Sequence, residues 1–192
     1  MVSRILLLLI LVGIGQNVWA EEPYAGKGIL RMQGTLSPAY QTQLNLLNFY
    51  LHGDLEYYVS NKISIRADSY YLLGSQQKPE LFDQKFMTFF GAMYHFPVKR
   101  VDPFIGFQPG IAFSSVNYDL PEGGSTTSEL SVSPLMSPVA GVNLYVGKFI
   151  HFFAMVRYIY GRHMSDAPEI ISLSEINGSF GLGWNFNAGR RN

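Results

Sequence analysis

The sequence predicts an all-β fold, namely an eight-stranded antiparallel up-and-down transmembrane β-barrel. Three observations predict it: an apolar period of two that recurs along the chain, strands long enough for a tilted membrane crossing, and short turns that alternate with longer polar loops. The composition agrees, because charged residues make up only 15% of the 192 residues while aromatic residues make up another 15%. A soluble globular domain carries roughly 25% charged residues.

Residues 1–20 predict a signal peptide, which leaves 21–192 as the barrel domain. One cation, Arg4, precedes an apolar run from Ile5 to Ile14, and Val18 and Ala20 provide the small residues at the −3 and −1 positions of the cleavage site. A membrane anchor is the alternative, but the run is shorter than the ~20 residues that a spanning helix needs. We therefore expect export to a bacterial cell envelope, with cleavage before Glu21.

The clearest strand is predicted over 47–60, where apolar and polar side chains alternate without a break. Leu51 and Tyr57 belong to one face, and Asp54 and Glu56 belong to the other. A helix would mix these two sets around its circumference, so the pattern indicates a strand. Seven further segments follow the same period: 28–36, 63–73, 85–96, 104–115, 135–146, 151–162 and 176–186.

The connections between these segments predict the topology. Three of them are short, at 60–62, 98–103 and 147–149. The other four are longer and polar, at 37–44, 74–84, 116–134 and 163–174. Short turns at one end and long loops at the other are typical of outer-membrane barrels.

Alternation alone does not say which face of the strands meets water. A soluble, lipocalin-like periplasmic binding barrel has an apolar lumen and alternates equally well. The polar face here is rich in Gly, Ser, Asn and Gln, whereas a water-exposed surface would be dense in Lys and Glu. Aromatic residues of the apolar face also gather near strand ends, as in the aromatic girdles of membrane barrels. The membrane interpretation is therefore preferred.

The inward face predicts a lumen filled by a polar network, because eight strands leave room only for side chains. Buried charges persist when they are paired. Inward residues at equal distances from a short turn face each other, so Glu56 lies opposite Arg66 across the 60–62 turn. On the preceding strand, Arg31 is placed to form an ion pair with Asp54. We interpret the network as structural, with acid–base chemistry as the alternative. Its predicted members are Arg31, Asp54, Glu56, Arg66, Asp68 and Arg157, with Gln108 and Asn143 beside them.

The last predicted strand carries Ser179, Gly181, Trp184 and Phe186 in the order polar, Gly, apolar, aromatic. This segment resembles the C-terminal assembly signal of bacterial outer-membrane proteins. The resemblance implies recognition by the barrel-assembly machinery. In architecture, the chain after residue 20 resembles small barrels of the OmpA/OmpX type.

A second resemblance involves Arg162-His163-Met164-Ser165-Asp166-Ala167 and Glu175. It is similar to the His-x-Ser-Asn-Ala motif of outer-membrane lipid A deacylases. The resemblance implies Ser165 as nucleophile, His163 as its base and Glu175 as the group that orients the imidazole. Asp166 stands where that motif has Asn, and His163 shares parity with the inward Arg157. Polarity at a strand end is thus the simpler interpretation, and an esterase remains the alternative.

Several classes of function are not expected. Fourteen Lys and Arg balance fourteen Asp and Glu, which disfavours a nucleic-acid partner. The chain has no Cys, and His52, His95 and His151 lie on different strands without metal-ligand spacing. No phosphate-binding glycine loop precedes a helix. We expect no metal and no cofactor.

We therefore expect a monomeric, non-enzymatic barrel in a bacterial outer membrane, with both termini in the periplasm. Its partners would be outer-membrane lipid, lipopolysaccharide and, through the loops 116–134 and 163–174, molecules outside the cell. A narrow, porin-like pore is a further alternative that a filled lumen disfavours.

Overall fold

The computed structural model describes residues 26–76, 81–119, 124–164 and 171–189. Within these ranges the backbone is built from strands and turns, and we find no helix long and apolar enough to cross a membrane. The predicted signal peptide lies outside the described residues. The strands are β1 (Ile29–Gln41), β2 (Leu46–Tyr58), β3 (Ile63–Ser75), β4 (Phe82–His95), β5 (Val101–Asp119), β6 (Ser125–Thr127), β7 (Ser131–Tyr145), β8 (Ile150–Gly161) and β9 (Glu175–Asn187).

Eight of these strands close into a barrel, as predicted. Each pairs antiparallel with its neighbours in sequence, β4 pairs with β5, and β1 pairs with β9 to close the circle. The short β6 pairs only with the end of β5 and forms a small hairpin outside the barrel wall. The prediction of an eight-stranded antiparallel up-and-down barrel is confirmed.

The barrel strands are staggered, as closure of a tilted sheet requires. A circuit of paired residues that starts at His151 on β8 returns to β8 at Gly161, a shift of 161 − 151 = 10 residues. The tilt brings side chains from non-adjacent strands to one level of the lumen. The intermediate partners are Gly183, Gln33, Asp54, Asp68, Phe89, Gly110 and Leu135.

The two faces of the wall have opposite chemistry. Outward apolar side chains are widely exposed, with Phe180 at 69% and Phe90 at 61% of their maximal accessible area. Arg31, Arg66 and Arg157 point inward and are fully buried. An apolar exterior around a polar interior is the arrangement of a membrane barrel, so the soluble lipocalin-like alternative is wrong.

The two ends of the barrel differ in their connections. The turn end carries 59–62, 96–100 and 146–149, and the loop end carries 76–81, 162–174 and the stretch 120–130 that contains β6. The first connection was expected to be long, over 37–44, but it consists of 42–45 alone. That expectation was wrong because β1 runs through Pro38 to Gln41 instead of ending at residue 36.

Pro38 is accommodated by a local opening of the sheet. The pairing of β1 with β9 is interrupted between Gly34 and Ala39, around the residue that has no N–H to donate. Side chains span part of the gap. The Thr35 hydroxyl donates to the Phe180 carbonyl at 2.6 Å, and the Ser37 and Ser179 hydroxyls contact each other.

Candidate functional site: the polar network of the lumen

Arg66 lies at the centre of the lumen and joins carboxylates from two strands. Its Nη2 lies 2.8 Å from Asp54 Oδ2 and 3.0 Å from Asp68 Oδ1. Arg157 reaches Asp68 from the opposite wall, with Nη2 to Oδ2 at 2.9 Å, and donates to Gln108 Oε1 at 2.6 Å. Two guanidinium groups therefore share one fully buried carboxylate. Such pairing is what keeps ionised groups inside a space with little water.

Aromatic rings close the central layer above and below the charges. The Arg157 guanidinium lies 4.3 Å from the centroid of Phe89 and 5.2 Å from that of Tyr70. The Arg66 guanidinium lies 5.4 Å from the centroid of Phe104. Cation–π contacts of this kind attract cations to ring faces most strongly where water is absent. The rings thus pack against both guanidinium groups inside the lumen.

A second cluster occupies the turn end of the lumen. Arg31 contacts Glu56 directly, and its Nη1 lies 3.5 Å from Asp102 Oδ2. His95 sits between the same two carboxylates, with Nε2 at 2.9 Å from Glu56 Oε1 and Nδ1 at 3.0 Å from Asp102 Oδ2. The Tyr58 hydroxyl donates to Asp102 Oδ2 at 2.8 Å. Strands β1, β2, β4 and β5 are thus tied together at this end.

The partner of Arg31 differs from the one predicted. Arg31 was expected to form an ion pair with Asp54, but it contacts Glu56. The reason is the register of β1 on β2, which places Arg31 directly opposite Glu56. Arg66 in turn reaches past Glu56, which lies 3.8 Å from its Nη1, to the closer Asp54. The six predicted network residues do come together in the lumen.

A third group lies toward the loop end. Lys85 Nζ lies 3.0 Å from Glu175 Oε2, and the Tyr50 hydroxyl donates to the same oxygen at 2.9 Å. The Lys85 ammonium also lies 4.7 Å from the centroid of Phe82. Glu175 was assigned by resemblance to orient His163, whereas the structure engages it with Lys85 and Tyr50.

His163 lies just beyond β8 and faces inward. Its Nδ1 lies 2.9 Å from the Ser114 hydroxyl, and burial lowers the pKa of its imidazole from the ordinary value. Ser165 lies outside the described residues, so the contact between His163 and Ser165 stays a prediction. An inward imidazole does not present itself to a lipid substrate on the outer surface.

One set of side chains has the spacing of a metal site. Ligand atoms of His52, Asp54 and Asp68 lie within 4.8 Å of one another. The Arg66 guanidinium occupies the space between the two carboxylates and neutralises them. A divalent cation would have to replace a buried positive charge there, so these residues fit an arginine better than a metal.

The predicted assembly segment lies on β9, at the seam where the barrel closes. Trp184 and Phe186 point outward and are about half exposed, while Ser179 is buried inside. Gly181 faces inward opposite Phe153 on β8. Recognition of the segment by an assembly machinery stays a prediction.

A cleft of about 250 Å³ opens at the loop end beside β8. Two of its hydroxyls, on Ser172 and Ser174, are nearly buried, whereas Arg162 is exposed. Ser172, which belongs to the predicted interaction loop 163–174, forms part of its lining. The lining residues are Gln43, Tyr160, Gly161, Arg162, Ser172 and Ser174.

Several members of the lumen network were not identified from the sequence, among them His95, Asp102, Lys85 and Tyr58. Lys85 and His95 lie on β4, which is apolar on both faces and gave no clear parity. Asp102 lies in a stretch expected to be a turn, but β5 begins at Val101. Tyr58 follows Glu56 by two residues on β2, so the alternation of the strand places its ring inside the barrel as well.

Comparison with known proteins supports the fold. No protein-family model and no curated protein matches the chain. Among solved structures, the outer membrane protein OprG from Pseudomonas aeruginosa is 11% identical and superposes with a TM-score of 0.65, covering 87% of this chain and 100% of OprG. Neisserial surface protein A (NspA) is 18% identical with a TM-score of 0.61, covering 85% of this chain and 99% of NspA. The N-terminal barrel domain of Pseudomonas aeruginosa OprF is 14% identical with a TM-score of 0.53, covering 84% and 99% of the two chains.

At these identities the likeness establishes the fold. The closed eight-stranded wall, its apolar exterior and its charged lumen define a small transmembrane β-barrel of the kind found in bacterial outer membranes.

Proposed function

We propose that this protein is a non-enzymatic integral outer-membrane barrel with a closed lumen, whose loops provide the interaction surface. The observation that carries the proposal is the network of buried ion pairs across the lumen. Arg66, Arg157 and Asp68 connect opposite walls at mid-height, and each is fully buried. A plug held by such contacts ties the wall together and blocks a continuous water path.

The proposal extends to orientation and partners. The turn end and both termini would face the periplasm, and the loop end would face outside, where lipopolysaccharide surrounds the barrel. The hairpin of β5 and β6 and the cleft beside Arg162 support this assignment, because they provide polar surface at the loop end. The barrel-assembly machinery would act on β9 through Trp184 and Phe186.

The lumen part of the proposal is tested by conductance. Purified protein is reconstituted into planar bilayers, and no steady single-channel current is expected. The double variant Arg66→Ala/Arg157→Ala is the matched control, since it empties the central layer and should raise ion leakage. Steady currents from the wild type would contradict a closed lumen. Heat-modifiable gel mobility of protein extracted from outer membranes checks that the barrel is folded and correctly located.

The non-enzymatic part is tested separately. Wild type and Ser165→Ala are incubated with lipopolysaccharide, and release of ester-linked acyl chains is measured. We expect no release above background from either protein, because Glu175 is held by Lys85 and His163 faces inward. Acyl release that disappears in Ser165→Ala would overturn this part and establish the esterase alternative.

A further inference from the structure

We infer that His95 is held as an imidazolium that locks the turn end of the lumen, and that loss of its proton at alkaline pH weakens this lock. The inference is independent of the interactions proposed for the loops. It rests on the atoms that surround the ring. His95 Nε2 lies 2.9 Å from Glu56 Oε1, and Nδ1 lies 3.0 Å and 3.1 Å from the two oxygens of Asp102.

The hydrogen-bond inventory of these groups assigns two protons to the ring. An ionised carboxylate only accepts, so a ring nitrogen at this distance from one must donate. A neutral imidazole carries one N–H and would leave one nitrogen lone pair against a carboxylate oxygen. The Ser64 hydroxyl lies within reach of both Nε2 and Glu56, but its single proton satisfies only one of them. The Tyr58 hydroxyl lies 3.1 Å from Nδ1, but its single proton is donated to Asp102. While both carboxylates are ionised, only the imidazolium removes the repulsive contact.

The remaining groups around the ring agree with a cation at this position. Tyr58 on β2 donates to Asp102, Tyr145 on β7 lies 3.4 Å from the Tyr58 hydroxyl, and Phe104 on β5 presents its ring at 5.6 Å. Arg31 on β1 shares the same two carboxylates, and Arg66 on β3 also approaches Glu56, with its Nη1 at 3.8 Å.

His151 provides a matched comparison in the same lumen. It is equally buried, but its Nε2 lies 2.7 Å from the Gln33 amide nitrogen, which donates. That nitrogen therefore accepts, and His151 is a neutral imidazole by the same reasoning. The neighbouring groups thus assign a positive charge to His95 and no charge to His151, although both histidines lie at the same end of the barrel.

The first test is nitrogen NMR of wild-type protein with ¹⁵N-labelled histidine in lipid bilayers at about pH 7, within histidine's titration range. We expect both ring nitrogens of His95 to carry hydrogen and His151 to show one bare nitrogen. His95→Gln and His151→Gln samples assign the signals. A bare nitrogen on His95 at this pH would overturn the inference. If a variant does not fold, a wild-type spectrum in which each of the four histidines shows a bare nitrogen overturns it without any assignment.

The second test is the pH dependence of unfolding between about pH 5 and about pH 9, a window that brackets the titration of histidine. The imidazolium stabilises the folded state at low pH, and this stabilisation is lost as pH rises and the proton leaves. Raising the pH should therefore lower the stability of wild type and of His151→Gln relative to that of His95→Gln measured at the same pH, because only the first two proteins carry the imidazolium. Equal pH dependence in wild type and His95→Gln would contradict the lock.

Discussion

Each charged side chain of the lumen is stabilised by partners from other strands, and so none of them can be replaced alone without cost. Arg66 shows this most clearly, since it contacts Asp54 and Asp68 while fully buried. Removing one partner of a buried pair leaves an uncompensated charge, whereas removing both can be nearly neutral. The coupling within a buried charge pair can therefore be tested by comparing the stability of a single variant with that of the double variant.

The Lys85–Glu175 pair is the simplest place for that test, because within the described ranges Lys85 Nζ forms an ion pair with Glu175 alone. Lys85→Met alone should lower the free energy of unfolding by about 3–5 kcal/mol, since it leaves Glu175 buried without its cation. The double variant Lys85→Met/Glu175→Gln should recover most of that loss. Urea unfolding in lipid vesicles measures both. Equal destabilisation by the single and the double variant would show that the pair is not coupled.

Small residues make room for the large ones in the lumen. A side chain on Gly183 would meet the imidazole of His151 and the side chain of Gln33, whereas one on Gly178 would meet nothing within 4 Å. Gly183→Val should therefore cost about 1–3 kcal/mol of unfolding free energy through overpacking. Gly178→Val on the same strand is the control and should leave stability unchanged, since its side chain enters open space. Similar losses in both would refute close packing at His151.

At the scale of the element, the strand faces could be predicted and some strand ends could not. The period of two in β2 is uninterrupted from Leu46 to Tyr58, so its inward and outward sets follow directly from the sequence. The last part of β1, from residue 37 to 41, was not predicted. A proline such as Pro38 normally indicates that a strand ends, unless the sheet opens beside it as it does here. That opening depends on Thr35 and Ser37 reaching β9, which a single-strand pattern does not reveal.

The sequence predicted which residues belong to the lumen network better than it predicted which of them form ion pairs. Parity alone gave Arg31, Arg66 and Arg157 as inward residues. Which carboxylate each one meets depends on the register of neighbouring strands and on the stagger of ten residues that a full circuit of the wall accumulates. The stagger brings Arg157 on β8 to Asp68 on β3, four strands away around the wall. Such contacts come from closure of the whole sheet.

The outward face of β2 makes a depth-dependent prediction. Leu51 lies near the middle of the strand and is 53% exposed, while Val59 follows its end. Leu51→Arg should destabilise the barrel in bilayers by about 2–4 kcal/mol, and Val59→Arg by about 0–1 kcal/mol, because a cation is costly at the bilayer centre and tolerated near the interface. Refolding and unfolding in vesicles measures both values. Equal, small effects would argue that the face meets water.

At the scale of the whole molecule, closure brings the start of β1 and the end of β9 together at the turn end. The Ala188 N–H donates to the Gly28 carbonyl at 2.8 Å, and the Gly28 N–H donates to the Tyr58 carbonyl at 2.9 Å. The loop that contains β6 lies at the opposite end. The two ends of the barrel must therefore lie on opposite sides of any membrane that the barrel spans.

This separation predicts which parts of the chain an antibody reaches in living cells. An epitope inserted between Asp119 and Gly124 should be labelled on intact cells, because the loop end would face outside. The same epitope fused after Asn192 should be labelled only when the outer membrane is permeabilised, because the last strand ends beside Gly28 at the turn end. Labelling of the C-terminal epitope alone on intact cells would reverse the proposed orientation. Labelling of both there would contradict a barrel that spans the membrane.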